Sequence, residues 1–152
     1  MKFSDFKDYD EPAQEIFRAT LDLVFDEGDP GNEYIERLSS EARVVYLVWC
    51  IDGEIHNGGF NQFYFNSLGN YAKELEVHLD LIGAKKSRAM LVEANNFFPN
   101  GSPSKDREER WRQLETLETS DIFNQRLEEL DTKFYKYEDG INQLLDQYVK
   151  NN

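Results

Sequence analysis

The sequence predicts an all-α protein, a single compact domain of about seven to nine helices packed around one central buried helix. Three observations predict it. Apolar residues recur at three- and four-residue spacings along most of the chain; Gly, Pro and Ser punctuate these stretches at helix-length intervals; and one segment, from Val44 to Ile55, is apolar on every side. A chain of 152 residues is the usual length of one domain, and no repeat or linker divides it. Residues 1–152 therefore read as one domain, with a motif-bearing core over about 41–112.

Each element has its own signal. Asp10 stands as an N-cap before Pro12, and Ile16, Phe17, Thr20, Leu21, Leu23, Val24 and Phe25 keep helical spacing until Gly28. After the turn Gly28-Asp29-Pro30-Gly31, a short helix covers Glu33 to Leu38, and Ser39 or Ser40 caps the next. The run from Arg43 to Ile55 places Val44, Val48, Ile51 and Ile55 on one stripe with Val45 and Trp49 beside it; its β-branched content also permits a buried strand, although no matching strand is evident elsewhere. Asn57-Gly58-Gly59 breaks this helix, and Phe60, Phe63 and Tyr64 form one face of a short helix ending over Asn66 to Asn70. Leu75, Leu79 and Ile82 set a further helix closing at Gly83, and Ala84 to Phe97 supplies another before the loop Pro99 to Pro103. Ser104 caps a solvated outer helix with Trp111, Leu114 and Leu117 on a narrow stripe and Asp106/Arg110 and Glu108/Arg112 as i,i+4 pairs. Ser120 caps a helix through Ile122, Phe123, Leu127 and Leu130, and Ile141, Leu144, Leu145, Tyr148 and Val149 give the last helix the cleanest pattern in the chain.

Composition excludes several function classes. Hydrophobic residues at 39% and aromatics at 14% separate the chain from disordered sequences. The start, MKFSDFKDYDEP, lacks the apolar segment of a signal peptide, and no stretch approaches the roughly 18 apolar residues that span a bilayer. The one cysteine, Cys50, lies in an apolar run as a small core residue, which suits a reducing cytoplasm. Net charge is −13, which argues against direct nucleic-acid or anionic-membrane binding and points to a basic partner. The charge is uneven: residues 1–41 carry −8, 42–84 carry −3, 85–112 carry +3 and 113–152 carry −5.

No assembled catalytic machinery is evident, so the chain reads as a binding protein and not an enzyme, with no catalytic residues, cofactor or metal assigned. Glu74 and His78 share a helix face at i,i+4 but lack a third ligand, and His56 beside a glycine break suits a C-terminal capping role. No zinc-protease, nucleophile-elbow, phosphate-loop or paired-cysteine motif occurs.

The segment from Glu54 to Gly69 stands out because it crowds backbone-shaping glycines, space-filling aromatics and hydrogen-bonding amides together. Two readings stay open: a self-satisfied structural corner, or a polar ligand held by Glu54, Asn57, Gln62 and Asn66 against an aromatic wall. Glu54, Asn57-Gly58-Gly59-Phe60, Gln62-Phe63, Asn66-Ser67 and Gly69, then Ile82-Gly83-Ala84 and Phe98-Pro99, resemble the bacterial DNA-mimic protein family. The resemblance runs from about Tyr46 to Arg112, with Leu68 where a small or hydroxyl residue is expected. It implies an all-helical homodimer whose carboxylates imitate the phosphates of duplex DNA and occupy a DNA-binding transcription factor, with the motif itself serving as scaffold.

Mimicry needs rows of carboxylates, because a DNA-reading surface is built for one negative charge per roughly 1.7 Å of duplex axis. Glu11/Glu15 and Asp22/Asp26 are like-charge i,i+4 pairs on the first helix, a spacing that stability alone disfavours, and Asp29, Glu33 and Glu36 extend the row. Glu76/Asp80, Glu115/Glu118 and the group Asp121, Glu128, Glu129 and Asp131 supply further rows, although an acidic surface also serves solubility alone. The leading expectation is thus a cytoplasmic interaction protein that competes with DNA for a basic transcription factor. An immunity-type inhibitor of a basic nuclease toxin and a small-molecule binder centred on Glu54 to Asn66 are the alternatives.

Overall fold

The segment around Val44 to Ile55 is the axis of the molecule: Val44 to Val48, Ile51 and Ile55 are buried, and Trp49, Cys50 and Gly53 face a more open side. In the computed structural model, which describes residues 2–26 and 32–152 with the side chains of 24–26, 32 and 33 set aside, eight α-helices are found. They are α1 (Pro12–Asp26), α2 (Asn32–Glu36), α3 (Ser40–Phe65), α4 (Ala72–Leu81), α5 (Lys85–Asn95), α6 (Arg107–Leu117), α7 (Asp121–Tyr135) and α8 (Ile141–Asn151). Short 3-10 turns at Phe3–Phe6, Ser67–Tyr71 and Pro99–Gly101 complete the described regular structure. The described residues contain no strand, so packing overrides the β-branched preference of the central run.

Helices α1, α4, α6, α7 and α8 all pack on α3, α8 also packs on α1, and α5 sits against α4 and α7. The core follows the predicted stripes: Val44, Val45, Leu47, Val48, Ile51 and Ile55 of α3 meet Ile16, Leu75, Leu79, Leu114, Phe123, Leu127, Leu130, Ile141, Leu145 and Val149. None of the described helices is long and apolar enough to cross a membrane.

Helix starts are capped in two ways. Ser39 Oγ accepts from the Ala42 amide at 3.3 Å and Ser120 Oγ from the Phe123 amide at 3.4 Å, as their positions predict. Asp106, not Ser104, caps α6, accepting from the Glu109 amide at 2.9 Å, because Ser104 lies two residues further out and receives the Asp106 amide instead. The first turn of α1 is served not by Asp10 but from across the molecule: Asp146 of α8 accepts from the Ala13 amide at 3.0 Å. Asp139 likewise accepts from the Ser87 amide of α5 at 2.6 Å.

Candidate functional site

The predicted break in the central helix is a kink inside one continuous element. Gly58 (φ −154°, ψ 16°) and Gly59 (φ 77°, ψ −176°) leave helical geometry, and the helix resumes on a new axis through Phe65. Gly59 occupies a backbone region that L side chains avoid, and a Cβ there would lie 2.4 Å from Asp131. The interruption frees the Phe60 amide, and Asp131 Oδ1 accepts from it at 2.8 Å, acting as an N-cap delivered by α7. Burial pushes the Asp131 carboxyl above its ordinary pKa, against the pull of this hydrogen bond. Asp131 is therefore a structural cap, not part of a surface acidic row.

The motif amides gather on Glu54. Gln62 Nε2 donates to Glu54 Oε2 at 2.7 Å, Asn66 Nδ2 donates to the same oxygen at 3.1 Å, and Asn57 Nδ2 donates to Gln62 Oε1 at 3.1 Å. Phe60 and Phe63 are fully buried, so they anchor the corner without presenting a surface. Gly69 lets a guanidinium pass: a Cβ there would come within 2.6 Å of Arg110 Nε.

Arg110 corrects the expectation of a solvated pair with Asp106. It is fully buried and caps the C-terminal end of α3, donating to the carbonyls of Tyr64 at 2.6 Å and Asn66 at 2.8 Å, to the Ser104 carbonyl at 2.8 Å and to Asn70 Oδ1 at 2.8 Å. Arg107 and Trp111 share the Phe65 carbonyl at 3.1 and 2.7 Å. A cation at a helix C-terminus is stabilised by the helix dipole. Burial, with Arg107 adding repulsion, pulls the Arg110 pKa down to about 10, so it stays charged at neutral pH. Arg112 pairs with Glu109 at 2.8 Å and not with Glu108.

Beside the corner lies an open cavity of about 430 Å³, lined by Phe17 of α1, Ile35 of α2, Tyr46, Trp49, Cys50, Gly53, Glu54, Asn57 and Gln62 of α3, and Ser67, Leu68 and Tyr71 of the following turn. Phe17 stacks between Tyr46 and Trp49, with ring centroids 5.7 and 5.4 Å away. Cys50 is half-buried in this wall instead of in the core, and burial raises its thiol pKa to about 12. The two readings of the motif thus coexist in part: the amides bond to Glu54 and to one another, and Asn57 and Gln62, with Glu54 but not Asn66, also edge a cavity.

The histidines belong to two separate clusters. His56 sits in the last turn before the Gly58-Gly59 kink; its Nδ1 lies 2.8 Å from the Asp52 carbonyl and 3.0 Å from Asp52 Oδ1, with Phe134, Tyr135 and Tyr137 around the ring. Tyr137 donates to Asp52 Oδ2 at 2.7 Å. His78 Nε2 lies 2.7 Å from Glu74 Oε2, and Arg43 grips the same carboxylate with two contacts of 2.6 Å. Burial works to raise the Glu74 pKa, but the Arg43 and His78 hydrogen bonds outweigh it and hold the carboxyl below its ordinary value. Among the described residues no group of three or more His, Cys, Asp or Glu is placed to hold a metal ion.

With this geometry in hand, comparison with known families is decisive: residues 36–152 match the family described as DMP19-like protein. The chain belongs to the DMP19-like family. No curated protein and no solved structure matches it. The family match extends the motif resemblance in both directions, taking in α3 to α8 and so both the Arg110 cap and the Asp131 cap.

The DMP19-like region excludes most of the acidic row anticipated on the first helix. Residues 1–35 hold three Lys/Arg and ten Asp/Glu, a net −7 of the total −13. In that stretch Glu11 and Asp22 are exposed, and Glu15 is half-buried and paired with Arg18 at 3.3 Å. Asp29, and the side chains of Asp26 and Glu33, lie outside the described residues. Glu36, exposed on α2, is the first residue of the family match. Within the match, Glu76 is buried and accepts from Asn95 Nδ2 at 2.9 Å, so the expected Glu76/Asp80 row does not form. The exposed carboxylates with no ion pair among the described residues concentrate on consecutive helices: Glu108 and Glu115 on α6, Glu118 at its end, and Asp121 and Glu128 on α7.

Proposed function

We propose that this DMP19-like protein is a DNA mimic that binds the DNA-reading surface of a basic regulator and competes with DNA, without turnover. The observation that carries the reading is family membership over residues 36–152, the region that also holds the exposed, ion-pair-free carboxylates of α6 and α7. Charge supports it. Seven residues of helix span about 10.5 Å, so Glu108 and Glu115 on α6, and Asp121 and Glu128 on α7, each set two exposed charges one such step apart along the helix. The acidity is also polarised, since residues 85–112, including Lys85, Lys86 and Arg88 of α5, carry net positive charge.

Two sets of neutralising substitutions separate the surfaces. In one, Glu108, Glu115, Glu118, Asp121 and Glu128 become Gln or Asn; in the other, Glu11, Glu15, Asp22, Asp26, Asp29, Glu33 and Glu36 do. Both variants fold with unchanged helical circular dichroism. The α6–α7 set loses partner affinity by at least tenfold, and a larger loss in the other set would move the interface to the N-terminal part of the chain. Unchanged affinity in both would end the proposal. Sedimentation at low and high salt tests the accompanying homodimer.

A further inference from the structure

The cavity between α1, α3 and the turn Ser67–Tyr71 is not used by an acidic docking surface, and its lining has a chemical bias. Glu54 is its one charged side chain among the described lining residues. Its Oε2 takes both strong amide donors, whereas among the described residues Oε1 has a single long contact of 3.4 Å from Asn66, which leaves lone pairs on that oxygen for a further donor. The amides that hold Glu54 are neutral, and no ion pair to it is found among the described residues. Phe17, Tyr46, Trp49 and Tyr71 share the lining; Phe17 is stacked on Tyr46 and Trp49, and the Arg43 guanidinium already lies 5.5 Å from the Tyr71 ring centroid, so Trp49 and the Phe17 ring against it are the aromatic surface for a ligand. Aromatic faces with one carboxylate attract a cation that also has apolar surface to bury. A hard metal ion is disfavoured because it requires about six oxygen ligands, and the described residues offer no such group.

We propose that this cavity binds a small organic cation, an ammonium or guanidinium group on an apolar stem, with the head at Glu54 Oε1 and the stem along Phe17 and Trp49. The volume of about 430 Å³ suits a compact ligand. An anion would meet both Glu54 and a chain of net charge −13. The site is independent of the DNA-mimic reading, and either stands if the other falls.

The test is titration of the full-length protein with phenethylammonium and with its neutral isostere 2-phenylethanol, read from the Trp49 indole N–H and the Asn57 and Gln62 side-chain amides in ¹H–¹⁵N spectra. The Trp111 indole, bonded to the Phe65 carbonyl elsewhere, is the internal reference. The ammonium binds at least tenfold tighter than the alcohol, and Glu54→Gln removes that difference while Trp49→Leu weakens both ligands. A capped Gly-Lys-Gly peptide separates the sources of the head group: tighter binding of the peptide assigns a protein lysine, tighter binding of the free amine a metabolite. Equal affinity of ammonium and alcohol in the wild-type protein, or no shift at Trp49, overturns the proposal whether or not the variants fold.

Discussion

At the scale of single residues, the side chains that matter most are charged groups drawn wholly or partly out of water, Arg110 fully and Glu74, Asp52 and Asp131 in part. Arg110 holds the carbonyls of Tyr64, Asn66 and Ser104 together; without it those of Tyr64 and Ser104 lose the one donor found for them among the described residues, while Asn66 keeps the Gly69 amide at 3.0 Å. Buried polar groups left without partners cost about 1–3 kcal/mol each, so Arg110→Met lowers stability by about 3 kcal/mol or more in chemical denaturation. Arg110→Lys recovers only part of this, because an ammonium cannot reproduce the guanidinium fork. Glu74 gives a pH signature. Its folded pKa is below the unfolded value of 4.5, so its stabilisation is present above that value and fades as pH falls through the folded pKa. The stability gap between wild type and Glu74→Gln is therefore largest near neutrality and narrows below about pH 4 in parallel denaturation curves. Asp52 and Asp131 have the opposite sign: burial raises them, which favours the folded state at low pH and opposes it as pH rises through their folded pKa values.

At the scale of elements, the kinked α3 organises the molecule, and its two glycine environments predict opposite outcomes. Gly59→Ala combines a left-handed backbone with a 2.4 Å approach to Asp131, and costs about 2–3 kcal/mol or more. Gly53→Ala, in regular helix with nothing within 4 Å of the added methyl, stabilises by about 0.5–1 kcal/mol. Thermal melts of the two variants against wild type check both signs. The kink itself was readable from Asn57-Gly58-Gly59, and the Ser39 and Ser120 caps and the core stripe of α8 were readable from local spacing. What closes the corner was not. Asp131, Asp139 and Asp146 look like ordinary acidic residues in an acidic C-terminal stretch, yet each caps an amide more than fifty positions away or on another helix. Arg110 has the spacing of a surface ion pair with Asp106, and only its tertiary position beside Gly69 reveals a buried cap. The aromatic side of the cavity escaped notice for the same reason: Phe17 and Trp49 satisfy a core pattern in sequence, and their partial exposure arises where α1, α3 and the turn after α3 diverge.

At the scale of the whole molecule, the structure redistributes the negative charge that composition reports as one number. Glu76, Asp131, Asp139 and Asp146 are committed to internal hydrogen bonds, Glu74 is held by Arg43, and Glu93 is held by Arg126. Among the described residues, the carboxylates left exposed without ion pairs are concentrated on α6 and α7 within the family region and before and on α1 outside it. A mimic must present such charges to a surface that otherwise binds phosphates, and its affinity must then fall with salt as DNA affinity does. The most direct measurement is competition: the regulator captured on the immobilised protein from native cell extract is challenged with duplex DNA across a salt series. The account predicts that duplex DNA displaces the regulator and that affinity falls linearly in log–log form with salt for both ligands. Retention of the partner at saturating duplex DNA, with affinity insensitive to salt, would contradict it.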